Sequence, residues 1–166
     1  MLSNECRQAV NYILYKTNEY NKNKPFSKQI VMTTKRVQKL LYLFQAVHMK
    51  FVGCPMFEDN FKAWPSGPVI SSVYYKCADT IHTVADLEFK EEYIENITDA
   101  KKVIMDCILS ATNEIDTFDL VEISRAEDTP WHEIYDPENP EGEPIISKTK
   151  IFNYAQTVNF SKIKKR

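Results

Sequence analysis

Three histidines, His48, His82 and His132, and four cysteines, Cys6, Cys54, Cys77 and Cys107, are the side chains best suited to bind a metal or act as nucleophile and base. None of them falls in a His-Glu-x-x-His or Cys-x-x-Cys spacing, the patterns that bring ligands onto one helix face or into one loop. No metal site is therefore expected. A Cys–His pair can still meet in space without being close in sequence; here that requires Cys54 or Cys77 to reach a histidine. His48 lies on an apolar helical stripe, where a buried imidazole hydrogen-bonds locally as part of a core. The cysteines sit far apart, on apolar faces or beside a turn, and read as reduced thiols, mostly core fillers.

The three glycines, Gly53, Gly67 and Gly142, stand alone, outside any dinucleotide or Walker spacing. Nucleotide binding by those routes is excluded, and no cofactor is expected. Carboxylates are abundant, but without an adjoining apolar pocket they read as surface charge and not as an acid–base pair. Trp64 and Trp131 each stand beside a proline. Either they plug the edges of a core or they serve as aromatic anchors on a binding surface, where Trp is enriched.

The formal charge of −2 conceals an uneven layout. Residues 1–50 carry nine Lys/Arg and two Asp/Glu, residues 51–146 carry six and twenty-one, and residues 147–166 carry six and none. An acidic middle repels phosphate backbones and steers basic surfaces toward it over roughly 10 Å at 0.1 M salt. A basic protein partner fits that layout. So does an acidic surface folded against basic helices of the same chain.

The elements that must position these residues are mostly helical. Ser3 can cap a first helix to about Glu19, with Cys6, Ala9, Val10, Ile13, Leu14 and Thr17 on one face. After a polar loop at Asn21–Ser27, Thr33 and Thr34 offer a cap for a helix from about Lys35 to Val52. Its wide stripe of Val37, Leu40, Leu41, Phe44, Val47, His48 and Phe51 marks it as the central core helix, and Gly53 supplies its left-handed stop. Phe57–Trp64 partly alternates and suits a short exposed strand or extended arm. Gly67 is expected at an N-cap and Pro68 at the first position of a helix reaching Ala78, with Val69, Val73 and Cys77 on one face. Residues 79–97 lack a clean period and read as loop with one short turn. Thr98 caps a helix to about Asn113, with Val103, Ile104, Cys107, Ile108 and Ala111 facing inward. Thr117 caps another to about Arg125, burying Leu120, Val121 and Ser124 or Ile123. Pro130-Trp131 restarts a turn, Asp136–Pro144 is a loop, Ile145-Ile146 is a brief apolar contact, and Ser147 caps a last helix with Ile151, Phe152 and Ala155 inside.

At 166 residues, with 43% of them apolar, the chain suits one domain with one core. The fold class is mainly α: a helical bundle of about five to seven helices with a short β-arm or hairpin. No charged leader runs into an apolar stretch and no segment nears ~20 continuous apolar residues. The expectation is a cytoplasmic protein without a membrane partner.

The run Val37-Gln38-Lys39-Leu40-Leu41-Tyr42-Leu43-Phe44-Gln45-Ala46-Val47-His48, followed by Gly53-Cys54-Pro55-Met56-Phe57, Lys62-Ala63-Trp64, Gly67-Pro68-Val69 and Val73-Tyr74, resembles the opening half of the Panacea domain. That domain is also described as SocA-like or as phage-associated protein GepA. Leu120, Ser124 and Pro130-Trp131 look like its second signature, and Ile146-Ser147 fits its end. The likeness spans roughly residues 5–158, leaving a domain of 1–158 and a basic tail of 159–166. Before Pro-Trp the family often has Thr-His, and Ser124-Arg125 stands in that place here, so no role of that histidine carries over.

The resemblance implies an antitoxin, often of prophages or mobile elements, which neutralises the toxin encoded beside it by direct contact. Family members pair with many unrelated toxins, including small alarmone-synthetase-like enzymes that block translation, and one relative delivers its toxin to a protease. On that reading the chain is not an enzyme, and its toxin-binding residues are Phe57, Asp59, Phe61, Trp64, Ser66, Tyr74, Pro130 and Trp131. Two other readings compete. One is a nucleic-acid-binding regulator using the basic N-terminal third and tail; on the antitoxin reading, nucleic acid is met only through that tail. The other is an enzyme with a Cys–His site.

Overall fold

Thr33 closes the start of the longest helix, its hydroxyl accepting the Arg36 backbone N–H at 3.1 Å, and Gly53 ends it at φ +84°. This is the second of eight helices in a computed structural model that describes residues 1–78 and 91–163. In chain order the elements are α1 (Asn4–Asn21), α2 (Thr34–Val52), β1 (Phe61–Trp64), β2 (Gly67–Val69), α3 (Ser71–Ala78), α4 (Glu92–Glu95), α5 (Asp99–Thr112), α6 (Thr117–Arg125), α7 (Pro130–Ile134), β3 (Ile145–Ile146) and α8 (Lys148–Thr157). The mainly α, single-domain expectation holds. The residues 79–90, with His82, and 164–166 lie outside the described residues.

Helix α2 is the axis of the core, and α1, α3, α5, α6, α8 and β2 all pack on it. Every residue from Arg36 to Met49 is buried. No single amphipathic stripe accounts for that, because neighbours surround the helix on all sides. The other helix starts follow the local chemistry of the chain. Ser3, Thr98, Thr129 and Ser147 each accept a backbone N–H in the first turn, and Pro130 occupies the first turn of α7. At α6 the cap is Asp116 in place of the expected Thr117, its carboxylate accepting the Asp119 N–H at 2.8 Å.

Four expectations are corrected. Gly67 and Pro68 form a strand and not a helix start: Ala63 pairs with Pro68 and Trp64 with Gly67 across the two-residue turn Pro65-Ser66. Gly67 is required there, since its φ is +99° and a Cβ would lie 2.6 Å from Ser124 Oγ and 2.9 Å from Lys39 Nζ. The arm at Phe57–Trp64 is not an exposed strand: Glu58 and Asn60 reach solvent, but Phe57, Phe61 and Ala63 are buried, because β1 is the central strand of an antiparallel sheet ordered β2-β1-β3. Helix α5 turns a shifted face inward: Ile108 is buried as expected and Ile104 packs against the core, but Met105, Leu109 and Thr112 are buried in place of Val103, Cys107 and Ala111, which lie outside. Finally, Phe51, near the end of α2, and Phe152, midway along α8, are exposed.

Among the described cysteines only Cys6 fills the core, while Cys54 and Cys107 are exposed. Phe160 and Ile163, at the start of the basic tail, pack against the core. Among the described residues no helix is long and apolar enough to cross a membrane.

Candidate binding surface

Five buried polar side chains of α2, Arg36, Gln38, Lys39, Gln45 and His48, each bond backbone. Gln38 accepts the Ile70 N–H at 2.8 Å and donates to the Ile70 carbonyl at 3.1 Å. Gln45 accepts from Met56 and Phe57 at 2.8 and 3.2 Å and donates to the Phe57 carbonyl at 2.9 Å. Arg36 donates to the carbonyls of Thr112 and Ile115 at 2.8 and 2.7 Å, satisfying groups that the end of α5 leaves open. Lys39 donates to the Pro68 carbonyl at 2.8 Å. Burial, with Lys35 and Arg125 close by, pushes its amine down from 10.5 to about 7.

His48 ends the series, its Nδ1 2.8 Å from the Cys54 carbonyl. Burial lowers its pKa and that contact opposes the shift. Cys54 thus meets His48 through its backbone. Buried polar groups satisfied in this way fasten the chain segments that wrap α2. The sequence reading passed over Arg36, Gln38, Lys39 and Gln45; a signal was available in four polar residues inside the most apolar helical run of the chain.

The predicted contact residues separate into three groups. Phe57 and Phe61 are each 1% exposed and pack in the core, with the Phe61 ring edge-on to Tyr42 at 5.3 Å. They support a surface from beneath and do not reach a partner in this conformation. Pro130 and Trp131 are buried as well: the Trp131 indole N–H donates to the Trp64 carbonyl at 2.7 Å, its ring stacks on Tyr135 at 4.5 Å, and Arg125 lies over it at 4.9 Å. Asp59 binds Ser3, accepting its backbone N–H at 3.1 Å and its hydroxyl, so it secures the start of α1.

Trp64, Ser66 and Tyr74 remain on the surface. The Trp64 ring meets Tyr74 edge-on at 4.9 Å and Tyr75 at 6.3 Å, and the two tyrosines meet at 5.5 Å. Tyr74 and Tyr75 are 40% and 59% exposed. Tyr75 was missed, although a Tyr-Tyr pair one helical turn into α3 is visible in the sequence. The three rings are mutually ordered, yet one side of them faces solvent.

Some of the charge is paired within the molecule. Lys16 pairs with Asp106 at 3.0 Å, Lys62 with Glu143 at 2.7 Å, Lys148 with Glu58 at 3.3 Å, and Lys150 with Glu133. Basic residues of the two ends are thus set against acids of the middle, and Arg36 and Lys39 are buried outright. No group of three or more metal-binding side chains converges among the described residues.

Fold and surface together define a small helical scaffold, whose buried polar groups hold its own backbone and whose ordered aromatic cluster reaches solvent. The family model for antitoxin SocA-like proteins, Panacea domain, matches residues 37–132, and the chain belongs to that family. No curated protein and no solved structure matches it.

Proposed function

We propose that this chain neutralises a toxin protein by direct contact, through the surface formed by Trp64, Ser66, Tyr74 and Tyr75. Membership of an antitoxin family supplies the class of partner. The observation that carries the surface is the aromatic cluster in which half-buried Trp64 of the hairpin meets the exposed Tyr74 and Tyr75 of α3. Trp and Tyr lose little conformational freedom on binding and dominate the energetics of protein interfaces. Pro130-Trp131 contributes from below, holding the Trp64 carbonyl, and Phe57 and Phe61 fill the space under β1.

The toxin is the product of the gene beside this one, and the encounter takes place in the cytoplasm. The charge layout favours this over nucleic-acid binding, since an acidic middle repels phosphate backbones and Arg36 and Lys39 of the basic third are buried while Lys16 and Lys22 are ion-paired. Co-expression is the test. The neighbouring product alone should stop growth and this chain should restore it, while Trp64→Ala with Tyr74→Ala should lose rescue and still be recovered folded. A neighbour that is harmless by itself, or full rescue by the double variant, contradicts the proposal.

A further inference from the structure

Among the described residues only Glu58, Asp106, Glu122, Glu133 and Glu143 of the acidic middle segment pair with a cation, and one cluster of acids lies along a groove. Between the outer side of α6 and the turn before α7 runs a groove of about 670 Å³, lined by Phe118, Ile123, Asp119, Glu122, Glu127 and Asp128 among others. No ion pair among the described residues involves Asp119, Glu127 or Asp128, and Glu122 has only Arg125 at 3.7 Å. Arg125 is itself drawn over the Trp131 ring. Of the four carboxylates only Glu122 has a cation, and that guanidinium is shared with the Trp131 ring.

The groove also holds apolar surface. Phe118 is 71% exposed, and Ile123 is only partly covered. A single exposed ring is ordinary on a globular surface, but a ring set in a concavity and rimmed by unpaired charge is not. One oxygen of Asp119, Oδ2, is shielded from solvent with no hydrogen-bond partner. Such an atom gains when a donor arrives, because burying a carboxylate oxygen without one costs free energy.

The groove is coupled to the aromatic surface. Glu122 touches Arg125, Arg125 covers Trp131, and Trp131 holds the Trp64 carbonyl. We propose that this groove docks a cationic amphipathic helix of the toxin, its Lys and Arg side chains meeting the carboxylates and an apolar side chain lying against Phe118 and Ile123. Complementary charge selects that occupant, since the same rim repels phosphate and acidic chains. The identity of the partner rests on the antitoxin reading above; the chemistry of the groove does not.

Fluorescence anisotropy on the full chain separates the two. The probes are a labelled helical peptide of repeated Leu and Lys, a second with Glu for every Lys, and a third with Ser for every Leu. The first should bind, weaken by about tenfold or more with Phe118→Ala, weaken similarly with Glu122→Lys plus Asp128→Lys, and lose affinity with added salt. All three positions are on the surface, and matched thermal melts check that the variants remain folded. Equal binding of the Ser or Glu peptide, or indifference to the groove variants, would overturn the proposal. Tighter binding on replacing Lys164, Lys165 and Arg166 by Gln would assign the groove to the chain's own tail and also overturn it. Peptide binding with failed rescue in co-expression would leave the groove standing and remove only the antitoxin assignment.

Discussion

Helix α2 and the outer surface around the β1–β2 hairpin and α6 divide their residues in opposite ways. In α2, Arg36, Gln38, Lys39, Gln45 and His48 are polar and buried. On the outer surface, Tyr74, Tyr75 and Phe118 are apolar or aromatic and exposed. The difference teaches that side-chain type alone does not mark a functional site. A buried amide whose bonds are all met by backbone is scaffold, whereas an ordered ring left in water is surface held ready for a contact.

The largest expected effect breaks the inner half of that contrast. Gln45→Leu leaves the Met56 and Phe57 N–H groups and the Phe57 carbonyl without their partner, and urea unfolding should show a loss of roughly 3 kcal/mol. A loss below about 1 kcal/mol would mean that the clamp is ornamental. Gly67→Ala tests the hairpin that carries Trp64. Its left-handed backbone and the close approach of Ser124 and Lys39 predict a cost of about 2 kcal/mol by the same measurement.

Lys39 sharpens the contrast through pH. Its amine is held near 7 when folded against 10.5 when free, so the unfolded chain binds more protons between those values. Stability should therefore increase as pH rises through that window, by up to about 1.4 kcal/mol per pH unit, with the full penalty present below 7. Lys39→Met should flatten the slope relative to the parent chain. An unchanged slope places the titration elsewhere.

The smallest effect on stability belongs to the outer region. Tyr74→Ala should cost no more than about 1 kcal/mol in melting experiments, as expected of a half-exposed side chain, while abolishing rescue in co-expression. A variant that loses stability heavily and keeps rescue would reverse the assignment of the two regions.

Much of the fold was legible because it is local. Ser3, Thr33, Thr98 and Ser147 cap their own first turns, Gly53 stops α2, and the face of α1 follows from its period; none of this needs a distant neighbour. The candidate surface was legible in part. Trp64, Ser66 and Tyr74 stayed accessible, while Phe57, Phe61, Pro130 and Trp131 went inside, because alternation within a short segment does not say whether a strand lies at the edge or the centre of a sheet.

What the sequence determined by itself is where most helices begin and end, set by neighbours within a few residues, together with the mainly α class and the family motif; the start of α3 at Ser71 was not among them. Only the tertiary structure decided which face of α5 is buried. Two apolar stripes compete on that helix, and packing on α2, with Arg36 closing the end at Thr112 and Ile115, selects Met105, Ile108 and Leu109 over Val103 and Cys107. It also decided that Gln38, Lys39 and Gln45 turn inward, since their acceptors and donors arrive from segments 11 to 32 residues away. A hydrogen bond to distant backbone leaves no trace in local periodicity, so those roles became visible only once the chain had closed around α2.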